Sequence, residues 1–388
     1  MTFKSSIQRE LDKFYSQLSN EDFTIRQVTK SAFTQARSKL NSWAFTRLNE
    51  VAVDTFYKNA PYHKWHGMRT LAVDGTRLML PNHKSVEQEF GKHYFGPNAD
   101  SPRSMALGSM LYDVLNHLTL DAQLAPYSSS ERDLLYKHLE KVEKGDLLLL
   151  DRGYPSFALF FILKARGIEF AVRMKEDWWL SVKEFKESGE KERIVSFNLP
   201  SKDTEKLAEY PEMINKTIQC RLIRVELEDG NVEILCSSLT DIEKYKHSEF
   251  KALYHYRWNE EEAYKLLKSR IELEDFSGKT ARAVHQDFQA KVFLLTLTAA
   301  YAHPVEEKVR AEFKADKERK YSQKINRTNA ISATINSMVS FFIKQKPIQT
   351  LSIFDDIVYK TREIIRPNRS VKRKHKPKKT FSMAYKRM

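Results

Sequence analysis

Two short apolar runs, each stopped by an aspartate, limit what this chain can fold into. Leu71, Ala72 and Val73 lead into Asp74, and four leucines, Leu147 to Leu150, lead into Asp151. A short, fully apolar run bounded by polar residues is typical of a strand buried on both faces, and such strands belong to sheets covered by helices. The surrounding text agrees. RTLAVDGTRLMLP reads as a strand, a turn at Asp74-Gly75 and a second strand, and SMALGSMLYDVLNHLTLDAQLAPY continues with two more strand-like runs. SSSERDLLYKHLEKV opens on capping serines and holds Leu134, Leu135, Leu139 and Val142 at helical spacing. After the leucines, FALFFILKARG reads as an apolar helix and IEFAVRMK as another buried strand. The expected order is three antiparallel strands, helix, parallel strand, helix, parallel strand, which is an α/β fold.

Helical text flanks this core. Residues 1–65 read as a small N-terminal helical domain, in which Thr29 to Leu40, carrying Lys30, Arg37 and Lys39, suits either a DNA-reading helix-turn-helix or ordinary helix packing. The core spans residues 66–300, interrupted at about 175–249 by a β-rich insertion whose hairpin, CRLIRVELEDGNVEILCSSL, turns at Asp229-Gly230. Two amphipathic helices are expected within 301–365, one lined by Ile331, Ile335, Met338 and Phe342, the other by Leu351, Phe354, Val358 and Ile365. Residues 366–388 form a basic tail.

The charge narrows the partners. Of the net +14 on 388 residues, the tail supplies ten Lys or Arg and no acid, leaving 55 bases against 51 acids in residues 1–365. A basic tail suits a polyanion, because each base docked on phosphate releases counterions, although a tail of this kind also serves solubility alone. Cys220 and Cys236 form no CxxC pair, which excludes a disulfide framework or cysteine-rich zinc module and fits a reducing cytoplasm. The longest nearly apolar stretch, Val292 to Ala302, is well short of the ~20 residues of a spanning helix, and no apolar leader opens the chain, so a soluble, unsecreted protein without membrane partners is expected.

Three carboxylates stand where such a core would expose them. Asp74 and Asp151 end their strands, and on neighbouring strands they would lie side by side and repel one another. A divalent cation relieves that repulsion, and a third carboxylate allows two metal ions to act on a phosphodiester. Taken singly, Asp74 before Gly75 also suits a turn, and Asp151 before Arg152 a salt bridge. Glu261 is the third candidate. Tyr254, Arg257, Glu261 and Lys268 follow at steps of three, four and seven, which return to one helical face. An acid beside Arg and Lys suits a metal ligand flanked by phosphate binders.

LAVDGT, DRGYPS, Y-x2-R-x3-E-x6-K, ELEDFSGKT and QDFQAKVFL together resemble the bacterial insertion-sequence transposases of the IS-four type, within the DDE superfamily, over about residues 68–300. The resemblance implies a ribonuclease H-like core with the insertion placed before the glutamate-bearing helix. The 110 residues between Asp151 and Glu261 leave room for that insertion. It further implies that Asp74, Asp151 and Glu261 are catalytic and ligate two Mg2+ ions, with Mn2+ as substitute. Tyr254, Arg257 and Lys268 would grip the DNA backbone. The implied activity is cut-and-paste transposition, in which the element's ends are hydrolysed from double-stranded DNA at terminal inverted repeats and the freed 3′ hydroxyl is joined to target DNA. A homodimer assembled on the DNA ends and a cytoplasmic, nucleoid-associated location follow from the same resemblance.

One position departs from the family. Members that use a hairpin intermediate hold a flipped base with a Trp just before a string like ILCSSL, where this chain has Val232 and Glu233. Trp178 and Trp179 stand at the start of the insertion as substitutes or as core aromatics. Two other functions share these residues: a catalytically inactive DNA-binding derivative and a metal-dependent nuclease without strand transfer.

Overall fold

The computed structural model describes residues 6–21, 26–94, 102–175, 177, 179–227, 230–316, 318 and 320–365. Three helices come first, α1 (Ile7–Ser19), α2 (Lys30–Ser38) and α3 (Trp43–Asn59). Next are β1 (Thr70–Met79), α4 (Lys84–Phe90), β2 (Lys92–His93), β3 (Arg103–Asp113), β4 (Leu118–Pro126), α5 (Glu131–His138), β5 (Leu147–Leu150), α6 (Phe157–Ala165) and β6 (Glu169–Arg173). The insertion holds α7 (Leu180–Ser188), β7 (Glu192–Asn198), β8 (Thr217–Glu226) and β9 (Val232–Ser237). Then follow α8 (Phe250–His255), α9 (Trp258–Ser269), α10 (Ala281–Ala315), β10 (Gln323–Lys324), α11 (Arg327–Met338), α12 (Pro347–Lys360) and β11 (Glu363–Ile364).

The two apolar runs lie next to one another. β1 pairs in parallel with β5, ending at Val73 opposite Leu150, and β5 pairs in parallel with β6. On its other edge β1 pairs antiparallel with β3, which in turn pairs antiparallel with β4. The order β4-β3-β1-β5-β6, with three antiparallel strands followed by two parallel ones, is a ribonuclease H-like core. The insertion does not stand apart from it. β9 pairs antiparallel with β6, and β8 and β7 continue the same sheet beyond.

Alternation along β5 explains its lack of polar residues. Leu147 and Leu149 enter the core beneath α9 and α10, while Leu148 and Leu150 enter the opposite core with α6. Each face therefore receives every second leucine. β1 behaves likewise, with Ala72 on the α9 side and Leu71 and Val73 on the other, so the strand's parity carries Asp74 toward α9.

Several sequence expectations need revision. Asp74-Gly75 is no turn: β1 runs unbroken through both residues, with Asp74 opposite Met110 and Gly75 opposite Ser109. The long partner β3 supplies a ladder that outweighs the local turn preference of Asp-Gly. For Arg37, where the sequence suits either DNA reading or helix packing, the structure shows packing: it is buried against α10, where it meets Asp287. α3 adds Val53 and Phe56 to the core on the α6 side. α10 passes through residue 300, and Pro304 lies inside it. Phe342 falls in a π-helical turn after α11, and Ile365 lies beyond α12, both exposed. Among the described residues no helix is long and apolar enough to cross a membrane.

Candidate active site

Asp74 and Asp151 are the next residues after the last register pair of β1 and β5, so two carboxylates emerge side by side at the polar end of the parallel pair. Each is first engaged locally. Asp74 Oδ1 accepts from the Gly75 N–H at 2.8 Å, and Asp151 Oδ1 accepts from the Gly153 N–H at 2.7 Å. Burial, above all, pushes the Asp74 carboxyl up to about 6; Asp151 and Glu131 add to the rise, while the Gly75 N–H and Arg257 oppose it.

Glu131, the first residue of α5, joins them without any mark in the sequence beyond its place after the capping serines. A Cβ added to Gly75 would lie 2.6 Å from Glu131 Oε1, and one added to Gly153 would lie 3.9 Å from Glu131 Oε2 and 3.0 Å from Asp151 Oδ1. Both glycines thus let the acids close in. Burial and then Asp151 raise the Glu131 carboxyl. Beside it, Arg77, Tyr127, Ser129 and Arg132 line a cavity of about 490 Å³ that opens next to Gly153.

The motif helix is less regular than its spacing implies. Tyr254 lies in the last turn of α8, Arg257 lies in the junction, and Glu261 and Lys268 belong to α9. Tyr254 is buried and its hydroxyl donates to the Leu150 carbonyl at 3.1 Å, at the very end of β5. Arg257 donates to Glu261 Oε1 at 2.9 Å, and Lys268 Nζ donates to the Arg77 carbonyl at 2.8 Å. Burial works against the charge on Arg257, but Tyr254, Glu261 and Asp74 outweigh it.

The glutamate that touches Asp74 is Glu260. It is fully buried, and its Oε1 accepts from the Asp74 N–H at 2.8 Å. Tyr264, one turn on, donates to the Asp74 carbonyl at 2.9 Å. A signal existed: Glu260, Ala263, Tyr264 and Leu267 follow the i, i+3, i+4, i+7 spacing of the buried stripe of α9, whereas Glu261 lies beside it.

Hard oxygen donors short of positive charge suit a divalent cation, and the raised Asp74 carboxyl has that character. Arg257 supplies part of the missing charge, bonding Glu261 while favouring the ionised form of Asp74. Among the described residues no group of three His, Cys, Asp or Glu side chains is arranged to hold an ion. Trp179 stacks on Phe157 at 4.0 Å between ring centroids, within an aromatic group that includes Phe197, and Trp178 lies outside the described residues.

The fold and the acidic strand ends define an α/β protein of ribonuclease H-like architecture with a carboxylate site at the end of its central parallel pair. The model of the family "Transposase DDE domain" matches residues 65–297, more than half of the chain, and the chain belongs to that family. DDE transposases generally use divalent metal ions. The Escherichia coli K12 transposase InsG of insertion sequence element IS4 is 25% identical over 63% of this chain and 54% of its own length. The putative transposase InsZ of the same strain is 27% identical over 36% of this chain and 47% of its own. The chain thus spans about half the length of these curated relatives. A cryo-EM structure of the piggyBac transposase synaptic complex with hairpin DNA aligns over 75% of this chain and 57% of its own, at 11% identity and a TM-score of 0.41.

Proposed function

We propose that the protein is a DNA transposase that cuts its element from double-stranded DNA at terminal inverted repeats and joins the freed 3′ end to target DNA. The observation that carries this reading is the pair of aspartates at the adjoining ends of β1 and β5, within a chain that belongs to the DDE family. Asp74, Asp151 and Glu261 would hold Mg2+, with Mn2+ as substitute. A metal bound there would activate the attacking hydroxyl and stabilise charge on the scissile phosphate and leaving oxygen.

The chain's own residues prepare the site. Burial beneath α9 keeps the acids partly dry, which strengthens their hold on a cation. Arg257 and Lys268 would meet the DNA backbone near the cleaved end, Arg257 by exchanging Glu261 for a phosphate. Tyr254 would join them once its hydroxyl leaves Leu150. Arg77 and Arg132 beside Glu131 offer further positive charge where DNA would enter. The protein would act as a homodimer on paired ends, as the need to process two ends suggests.

The test is cleavage of DNA carrying the inverted repeats that flank the gene, with Mg2+ or Mn2+ supplied. Asp74→Ala, Asp151→Ala and Glu261→Ala are each expected to reduce cleavage by about two to three orders of magnitude or more, the scale on which loss of a principal electrostatic stabiliser acts. Normal cleavage by any of these variants, folded as judged by circular dichroism, would remove that residue from the triad.

A further inference from the structure

Beyond Val73, β1 loses its parallel partner, because β5 ends at Leu150. Asp74 keeps its antiparallel partner, however: the Leu147 N–H of β5 donates to the Arg69 carbonyl, whereas the Val114 N–H donates to the Thr70 carbonyl and the Leu80 N–H to the Ser104 carbonyl, so even-numbered residues of β1 turn their N–H and C=O toward β3 and Asp74 faces Met110. Side chains of one helix reach the same two groups. Glu260 accepts from the Asp74 N–H at 2.8 Å and Tyr264 donates to its C=O at 2.9 Å, one turn apart on α9. Ser109 Oγ of β3 adds a longer contact of 3.3 Å to the same carbonyl. Lys268, a further turn along, takes the Arg77 carbonyl in the same way.

Glu260 is an expensive residue to place there. It has no solvent exposure, and its second oxygen, Oε2, has no hydrogen-bond partner among the described residues. The Tyr154 hydroxyl, of the loop that follows Asp151, is likewise buried and without a partner among them. A leucine at position 260 would suit the apolar stripe of α9 better, but it could not accept from the Asp74 amide.

We propose that Glu260 is a positioning residue for the metal site: with Tyr264 it grips the peptide groups of Asp74 and so fixes where the Asp74 carboxylate is presented. The inference rests on the proposed metal role of Asp74, and it assigns Glu260 a duty separate from that of Glu261. Groups that orient a metal ligand without touching the ion commonly set metal affinity by about 10- to 100-fold.

The test is Mn2+ binding to the whole protein without DNA, measured by electron paramagnetic resonance of free Mn2+, alongside thermal unfolding. Glu260→Leu removes the acceptor, and Glu260→Gln keeps a carbonyl oxygen in the same place. Glu260→Leu is expected to weaken binding about ten-fold or more, and Glu260→Gln to stay within about three-fold of the wild type. Unchanged affinity in Glu260→Leu would overturn the proposal. So would an equal loss in Glu260→Gln, because charge and not the hydrogen bond would then be the cause. Should Glu260→Leu fail to fold, Tyr264→Phe releases the other half of the grip; it is expected to weaken binding several-fold, and wild-type affinity there would count against the proposal. Asp74→Ala separates the two levels. If it leaves Mn2+ binding unchanged, the metal role of Asp74 itself is wrong, whereas loss in Asp74→Ala with full binding in Glu260→Leu rejects only the positioning role.

Discussion

Asp74 bears much of the electrostatic cost of the site. Its carboxyl rises from an ordinary 3.8 to about 6, chiefly through burial and then through Asp151 and Glu131. The folded chain therefore holds that proton more tightly than the unfolded chain. Metal-free stability accordingly falls as pH rises from about 4 to about 6 and stays lower above that window. Asp74→Asn keeps Oδ1 as an acceptor for the Gly75 N–H and removes the charge. In EDTA it is expected to raise stability at pH 7.5 by up to about 3 kcal/mol, at 1.36 kcal/mol per pKa unit, and to match the wild type near pH 4. Thermal unfolding at the two pH values checks this, and a variant less stable than wild type at pH 7.5 would contradict it. Both aspartates were legible because apolar strands rarely stop on an acid without reason. The division of labour between Glu260 and Glu261 was harder to read: consecutive residues lie about 100° apart on a helix, and the facing toward β1 is set by how α9 seats Ala263 and Leu267.

At the scale of elements, α2 is tied to α10 through one buried ion pair. Arg37 donates to Asp287 Oδ1 at 2.9 Å, to the Ala283 carbonyl at 3.0 Å and to Gln286 Oε1 at 2.6 Å, and it also bonds Ser277. Removing one partner strands the other in the interior. Arg37→Ala is therefore expected to cost about 3–5 kcal/mol in urea unfolding. A loss below about 1 kcal/mol would mean that Asp287 finds another partner. The chain hides this link because the residues are 250 positions apart, and a base on a short helix reads equally well as a DNA contact. Local patterns did better. The alternation of β8 and β9 and the apolar text of α6 were plain, but the pairing of β9 with β6 joins distant segments and has no local mark.

For the whole molecule, the net charge of +14 separates into a nearly balanced body and a tail from Arg366 onward that lies outside the described residues. Deleting residues 366–388 is expected to weaken DNA binding almost equally for all sequences and to flatten the slope of log K against log salt, by about 0.9 for each phosphate that the tail no longer neutralises. An unchanged slope would assign the tail to solubility. The succession of strands and helices along the core and the acidic ends of β1 and β5 were legible in the periodicity, apart from the turn read at Asp74-Gly75, whereas the side-by-side order of the strands and the continuation of the sheet into the insertion emerged only in three dimensions. The most direct test of the proposed transposase is a joining assay with a precut element end bearing a free 3′ hydroxyl, a plasmid target and Mg2+. Covalent joining of that end to the target is expected, abolished by Asp151→Ala; hydrolysis without joined product, or joining by the variant, would contradict the proposed transposase.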